Sequence, residues 1–387
     1  MPILNAAETI APEATEWRRQ LHANPELMYD VHETARFVAD KLRAFGCDEV
    51  VEGIGRTGVV GIIRGSRGDG PTVGLRSDMD ALPITEATGV PYASKNAGKM
   101  HACGHDGHTA MLLGAAKHLA ETRNFRGSVA VIFQPAEEGG AGGLAMVEDG
   151  MMDRFGIREV YGLHNMPGVP LGEFAIRSGS IMAATDEFTI TVKGRGSHAA
   201  QPHRSVDPIV CGSQLVTAFQ TIPSRALDPI QSLVVSVTKF QAGTAYNVIP
   251  ETALVAGTVR TLDPAVRDLA EKRIREICAG VGAAAGAEIE VQYHRNYPVA
   301  VNHERETEHA IEVARSVAGH DRVNPDTPPV MGGEDFAYML EARPGAFIFM
   351  GVGDTAPLHH PRYDFNDDAI PHGVSYWVGL AEARLAP

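Results

Sequence analysis

The run Ser128-Val-Ala-Val-Ile-Phe133 is apolar at almost every position, which suits a strand covered on both of its faces. Similar short runs recur at Thr72-Val-Gly-Leu75, Val160-Tyr-Gly-Leu163 and Ala346-Phe-Ile-Phe-Met350. Between them the apolar period changes. Glu33–Phe45 places Ala35, Val38, Leu42 and Phe45 on one stripe, and His108–Leu119 does the same with Met111, Leu112, Ala115 and Leu119, the 3.6-residue period of a helix. Strands alternating with helices predict a mostly parallel α/β sheet.

The middle of the chain reads differently. Phe188, Ile190 and Val192 alternate with polar residues, as in a strand with one wet face. A helix from about Asp207 to Gln220 follows, then strands at Ser232–Phe240 and Ala253–Thr261, a helix from Asp263-Pro264 to Ala279, and a strand at Glu288–Tyr293. The order β-α-β-β-α-β is the split, ferredoxin-like pattern. A chain of 387 residues exceeds what one core usually serves. The expectation is an α/β protein whose first domain, 1–181 plus 298–387, is interrupted by an α+β satellite at 182–297.

Composition narrows the partners. Hydrophobic residues at 44% and charged residues at 21% fit a globular chain. A formal net charge of -14 disfavours nucleic acid and anionic membrane. Residues 1–20 carry Glu8, Glu13, Glu16, Arg18 and Arg19 rather than an apolar leader core, and no run reaches the ~18 apolar residues of a membrane span. The four cysteines, 47, 103, 211 and 278, form no framework, which suits a reducing cytoplasm. Three sit in apolar surroundings and read as buried hydrophobes; Cys103 is the exception.

Ligands of an open α/β sheet lie beyond the carboxyl ends of its strands. After Leu75 come Arg76, Asp78 and Asp80; after Phe133, Glu137 and Glu138; after Leu163, His164; after Met350, His359 and His360. The loop before the helix at 108 adds His101, Cys103, His105 and Asp106. Each has an ordinary explanation alone: a solvated histidine, a helix start favoured by its dipole, a polar helix face. Five segments supplying such side chains to one sheet edge do not. His, Cys and carboxylate together suit zinc or a similar divalent ion. The donors exceed one tetrahedral shell, so two ions sharing a ligand are the simplest arrangement, and such sites hydrolyse amides. One of Glu137 and Glu138 would then handle the proton and the other bind metal. A Cys103 nucleophile with His105 is the competing reading, but so crowded a donor set would capture the thiolate as a ligand.

The ordered motifs His101-Ala-Cys-Gly-His-Asp-Gly-His108, Gln134-Pro-Ala-Glu-Glu-Gly139, Gly162-Leu-His-Asn165, Gly194-Arg-Gly-Ser-His198, Asn247-Val-Ile-Pro250 and Gly332-Gly-Glu-Asp-Phe336 resemble the aminoacylase/carboxypeptidase-type metallopeptidase family, in its branch of hippurate hydrolases, N-acyl-amino-acid amidohydrolases and auxin-conjugate hydrolases. The resemblance spans Arg18-Arg-Gln-Leu-His22 to Pro361-Arg-Tyr-Asp-Phe365. It implies a metal-dependent catalytic domain with a satellite lid, and hydrolysis of N-acyl-L-amino acids. It implies Cys103 (as bridge), His105, Glu138, His164 and His359 on two divalent ions, zinc or manganese before cobalt or nickel. Glu137 is the implied general base, and Asp80 the residue orienting a metal-site histidine. His198 is implied for the oxyanion, and Asn247, Arg260 and Gly333 for the substrate. A homodimer or dimer of dimers through the satellite is also implied.

Two departures stand out. Asp78-Met-Asp80 occupies a place where much of the wider family has His-x-Asp, which leaves the role of Asp78 open. His359 fits the expected register and is followed by a second histidine, His360. Within the motif segment itself, His101 and His108 read as supporting residues. A dipeptidase or carboxypeptidase is the alternative on the same chemistry, and a non-catalytic binding protein the alternative outside it.

Overall fold

A computed structural model describes residues 5–386. The chain divides into two compact units. The first runs up to Ile181 and takes in Val301–Pro328 and everything from Asp335 on; the second comprises Met182–Ala300 and Pro329–Glu334.

The first unit opens with helices α1 (Asn5–Ala23) and α2 (His32–Ala44). Strands β1 (Glu49–Ile54) and β2 (Gly58–Arg64) form an antiparallel hairpin that the apolar-run pattern did not reveal. Then come β3 (Thr72–Asp78), α3 (His105–Thr122), β4 (Ser128–Gln134) and β5 (Ile157–Met166). In the eight-stranded sheet, β4, β3, β5 and the strand Gly345–Gly351 lie side by side and parallel. Their apolar runs are buried from end to end, because α3 and the helix Ile370–Arg384 pack with α1 to build one core around Leu75, Leu112, Val131, Phe125 and Trp377. Each fully buried side chain of this kind contributes about 1.5–3 kcal/mol. The chain is thus mixed α/β with a large, mainly parallel central sheet.

The second unit holds an antiparallel sheet in the order Leu233–Ala242, Thr252–Thr261, Ala184–Lys193, Glu288–Arg295. Helices Pro208–Phe219 and Pro264–Ala285 pack on one face, burying Phe188, Ile190, Leu215, Phe219 and Ile274. Both helices start on an aspartate. The carboxylate of Asp207 accepts the N–H of Ile209 at 2.8 Å and that of Asp263 accepts the N–H of Ala265 at 2.7 Å, with proline at the first helical position in each, where no N–H is needed. The second helix continues past Ala279 through Gly280 and Gly282 to stop at Gly286, whose φ is +71°. The unit also claims 329–334, which the sequence reading left with the first domain: the N–H of Ala183 donates to the carbonyl of Gly332 at 2.9 Å, and Met182 pairs with Val330. Among the described residues no helix is long and apolar enough to cross a membrane.

Candidate metal centre

The donors gather at the carboxyl ends of the four central strands. Gly104 sits in the left-handed region with φ +90°, which costs glycine least, and a Cβ there would lie 2.3 Å from Asn165 Oδ1. The sharp turn starts α3 at His105, three positions earlier than the apolar stripe suggested, so His105 belongs to the helix and Cys103 to the loop ahead of it. His164 comes from β5 itself, in register with Phe349. Glu137 and Glu138 follow β4 in a turn flanked by Ala136 and Ala141, both with positive φ, and His359 has φ +63°. Non-glycine residues held in this region are strained, and such strain gathers at functional sites.

Sets of side chains whose ligand atoms lie within 4.8 Å of one another include Cys103, His105 and His164, then Cys103, Glu138 and His359, and also Asp78, His105 and His108. Cys103 is common to the first two. A further set joins His105 with Glu137 and Glu138. Cys103 Sγ lies 3.4 Å from His164 Nε2. Glu138 Oε1 lies 3.3 Å from His359 Nε2 and 4.0 Å from His105 Nε2. Cys103, His105, His164 and Glu137 are buried, while the side chain of His359 is 52% exposed and opens the cluster to solvent. His360 only closes a turn, accepting the N–H of Arg362 at 3.1 Å.

The imidazoles are aimed from behind. His105 Nδ1 donates to the backbone carbonyl of Asp80 at 2.8 Å, and His164 Nδ1 to that of Asn165 at 2.7 Å. This leaves both Nε2 atoms for the cluster, and His105 Nε2 is buried without a hydrogen-bond partner. The carboxylate of Asp80 accepts the N–H of Glu137 at 2.9 Å and of Glu138 at 3.1 Å. Asp80 therefore meets His105 chiefly through its main chain, with its carboxylate 3.6 Å from the same Nδ1 and engaged by the glutamate turn. His101 does not join the cluster. Its ring packs 6.4 Å from that of His22, and burial pushes its pKa down to about 3.

Electrostatics supports a cation here. Burial pushes the Cys103 thiol well above its usual range, and Glu138, Glu137 and Asp78 push it further. Burial opposes charge on His105, yet Asp78, Asp80 and Glu138 outweigh it and raise its pKa to about 10. An orphaned imidazole nitrogen, a thiol and carboxylates facing one space fit a divalent transition ion, which must displace these protons to bind. Metal uptake by metal-free protein is thus expected to release protons, and apparent affinity to rise with pH. Titration calorimetry in buffers of different ionisation enthalpy checks this; buffer-independent heats would contradict it.

The remaining expected residues lie in the second unit. His198 is exposed on a two-residue strand paired with Val248–Ile249, and it lines an open hollow with Asn247 and Glu251. Arg260 is half-buried on Thr252–Thr261, its Nε donating to Thr258 Oγ1 at 3.2 Å. Gly333 packs so close to Thr185 that a Cβ would lie 2.3 Å from its methyl group.

Behind the cluster lies a buried ionic knot. Arg18 of α1 donates through Nε to Asp106 at 2.9 Å and through its other nitrogens to Asp364 at 2.5 Å and Asp367 at 3.3 Å. His22 bridges Asp106 at 2.8 Å and Glu86 at 3.3 Å. Burial works against the charge of His22, but Asp106 and Glu86 raise its pKa to about 9 from 6.5. A raised folded-state pKa contributes stability that is complete below pH 6.5 and lost as pH climbs through 9. Denaturant midpoints are expected to fall over that window, and less steeply in His22→Gln.

Fold and cluster together define a hydrolase that works with divalent metal. The protein-family comparison agrees: residues 74–383 match the model of peptidase family M20/M25/M40, and the chain belongs to that family. It is 43% identical over 364 residues to a hippurate hydrolase of Campylobacter jejuni, covering 94% of each chain. It is 42% identical to an N-acetyl-L-cysteine deacetylase of Bacillus subtilis, over 95% of this chain and 87% of that one. Among solved structures, the YxeP protein of B. subtilis, described as a dinuclear metal-binding peptidase, superposes with a TM-score of 0.86 at 35% identity, over 98% of this chain and 99% of that one.

Proposed function

We propose that the protein hydrolyses the amide bond of N-acyl-L-amino acids, adding water across it to give a carboxylic acid and a free amino acid. The observation that carries this reading is the place of Cys103 in two donor sets, beside a glutamate turn held by Asp80. Cys103, His105 and His164 would hold one divalent ion and Cys103, Glu138 and His359 a second, with zinc or manganese as the fitting metals. Ions there supply a Lewis acid for the scissile carbonyl and acidify water. Glu137, beside His105 and Glu138, takes the proton from water and delivers it to the leaving amine. His198 stabilises the developing oxyanion, and Asn247, Arg260 and Gly333 receive the amino-acid carboxylate, for which a guanidinium is the natural planar partner. The names of the two curated relatives support an acyl-amino-acid substrate.

The second unit serves as lid and dimer contact in this reading. Its sheet ends on the open edge of Leu233–Ala242, which carries the exposed Phe240, while Ile209 and Val210 are exposed on the helix Pro208–Phe219, apolar surface suited to a second copy. Four free cysteines fit a reducing cytoplasmic setting.

The test is a deacylation panel. Metal-stripped protein is reloaded with zinc, manganese, cobalt or nickel and given hippurate, N-acetyl amino acids, dipeptides and longer peptides, with products identified by mass. Amine release from the acyl amino acids, abolished by chelator, is expected. Metal-replete protein inert on them would overturn the proposal, and a preference for peptides would move the reading to a peptidase.

A further inference from the structure

His108 and Asn165 hold no assigned place in the chemistry, yet they stand directly behind the two imidazoles of the first donor set. The His108 ring stacks on His105 at 5.5 Å between centroids and meets His164 edge-on at 4.6 Å. It offers the cluster no free nitrogen. Its Nδ1 lies 2.7 Å from Asp78 Oδ1. Its Nε2 lies 3.0 Å from the backbone N–H of Asn165 and 2.6 Å from that residue's side-chain amide oxygen. The peptide units around Asn165 are therefore held from both sides, with the N–H on His108 and the carbonyl accepting His164 Nδ1. Asn165 Nδ2 further donates to the Tyr363 hydroxyl at 2.7 Å.

The chain of bonds continues away from the cluster. Asp78 Oδ2 accepts Arg76 Nη1 at 2.8 Å. Arg76 also reaches Asp335 at 3.0 Å and Gln134 at 2.9 Å, and Asp335 accepts the N–H of Gly143 at 2.8 Å. Arg76, Asp78, His108, Asn165 and Asp335 are all buried. Burying three charges and a histidine in a row costs more than an apolar core unless every group is satisfied. Such an arrangement points to a purpose other than packing.

We propose that Arg76, Asp78, His108 and Asn165 form a relay of positioning residues that fixes the tautomer and ring angle of His164 and the ring plane of His105, and thereby sets how tightly the Cys103–His105–His164 position holds its ion. Asp78 gives the relay its direction. Its carboxylate anchors Nδ1 of His108, which turns the ring so that Nε2 faces the backbone N–H and the side-chain amide oxygen of Asn165. In this scheme Asp78 acts from behind the ligands: one oxygen serves His108, and the other serves Arg76 and stands 3.6 Å from His105 Nε2. The inference rests on the metal-site reading above. It assigns a role to the aspartate whose place in the sequence was left open.

The test measures metal, not turnover. Metal-free parent, His108→Ala, His108→Gln, Asn165→Ala and Asp78→Asn are titrated with cobalt(II) and zinc(II) against a chromophoric chelator. The cobalt d–d absorption spectrum and the thermal midpoint of the metal-free form are recorded alongside. Groups that orient a ligating histidine typically set affinity by about 10–100-fold, so His108→Ala, Asn165→Ala and Asp78→Asn are expected to lose that much and to change the cobalt spectrum. His108→Gln, which retains a donor and an acceptor, recovers most of both. Lowered midpoints with affinity within about twofold of the parent and an unchanged spectrum would overturn the relay and leave it a packing feature. If His108→Ala does not fold, the near-isosteric Asp78→Asn decides by the same criteria. A parent that takes up no ion would overturn the metal site and this inference together, whereas a parent that binds with unaffected variants overturns the relay alone.

Discussion

Glu137→Gln protein binds its metal with nearly parental affinity and loses on the order of 10²–10⁴-fold in kcat on the best acyl amino acid, the usual worth of a positioned proton-transfer group. The substitution keeps the size of a buried side chain and removes only its capacity to take a proton. Glu138→Gln behaves differently, because Glu138 Oε1 faces His359 at 3.3 Å. It loses metal first and activity as a consequence, and added metal restores part of the rate. Adjacent residues on one turn thus separate into two roles by two readouts, metal content by mass spectrometry and kcat at saturating metal. Equal loss of metal in both variants would show that Glu137 is a ligand rather than the base.

Arg18→Ala costs about 3–5 kcal/mol of folding stability, the penalty of removing one member of a buried ionic group. Arg18 has a fully buried side chain and reaches three carboxylates, and Asp106, equally buried, is left with only His22 among its charged partners. Lysine does not rescue the variant, since a single ammonium cannot span that fork. The knot also joins α1, the start of α3 next to His105, and the segment after His359, so its loss should loosen both ends of the donor cluster. Urea denaturation of the metal-free and metal-loaded forms measures the cost. A loss below about 1 kcal/mol would show that water replaces the guanidinium.

Much of the architecture was legible because it is written in local periodicity. Apolar runs marked the central strands, and the Asp263-Pro264 start marked the second helix of the second unit. The five donor segments were legible because side chains that follow parallel strands converge at one edge. What stayed hidden depends on distant contacts. Residues 329–334 join the second unit through bonds to 182 and 183, which no nearby residue announces. The hairpin at 49–64 pairs an apolar, buried β2 with a β1 that carries polar residues, so only one of its two strands announces itself. Asp80 could be singled out from its place after β3, but that its backbone carbonyl comes nearest to His105 is a matter of backbone path. His108 sits in the motif segment as a fourth histidine, and only the position of Asp78 and Asn165 around it shows that both its nitrogens are engaged.

The donors come from chain positions as far apart as Cys103 and His359, with the whole second unit synthesised between them. During synthesis the ribosome releases the thiol and His105 long before Glu138, His164 and finally His359 can close around them. An early segment can offer an ion only two ligands on a flexible loop. Closing a loop of this length carries an entropic cost that grows with its span, and the native sheet meets that cost before any ion arrives. Metal loading is therefore expected to follow folding. Cellular metal supply then governs how much of the folded population is active and, by mass action, how much of it survives, rather than whether the chain finds its fold.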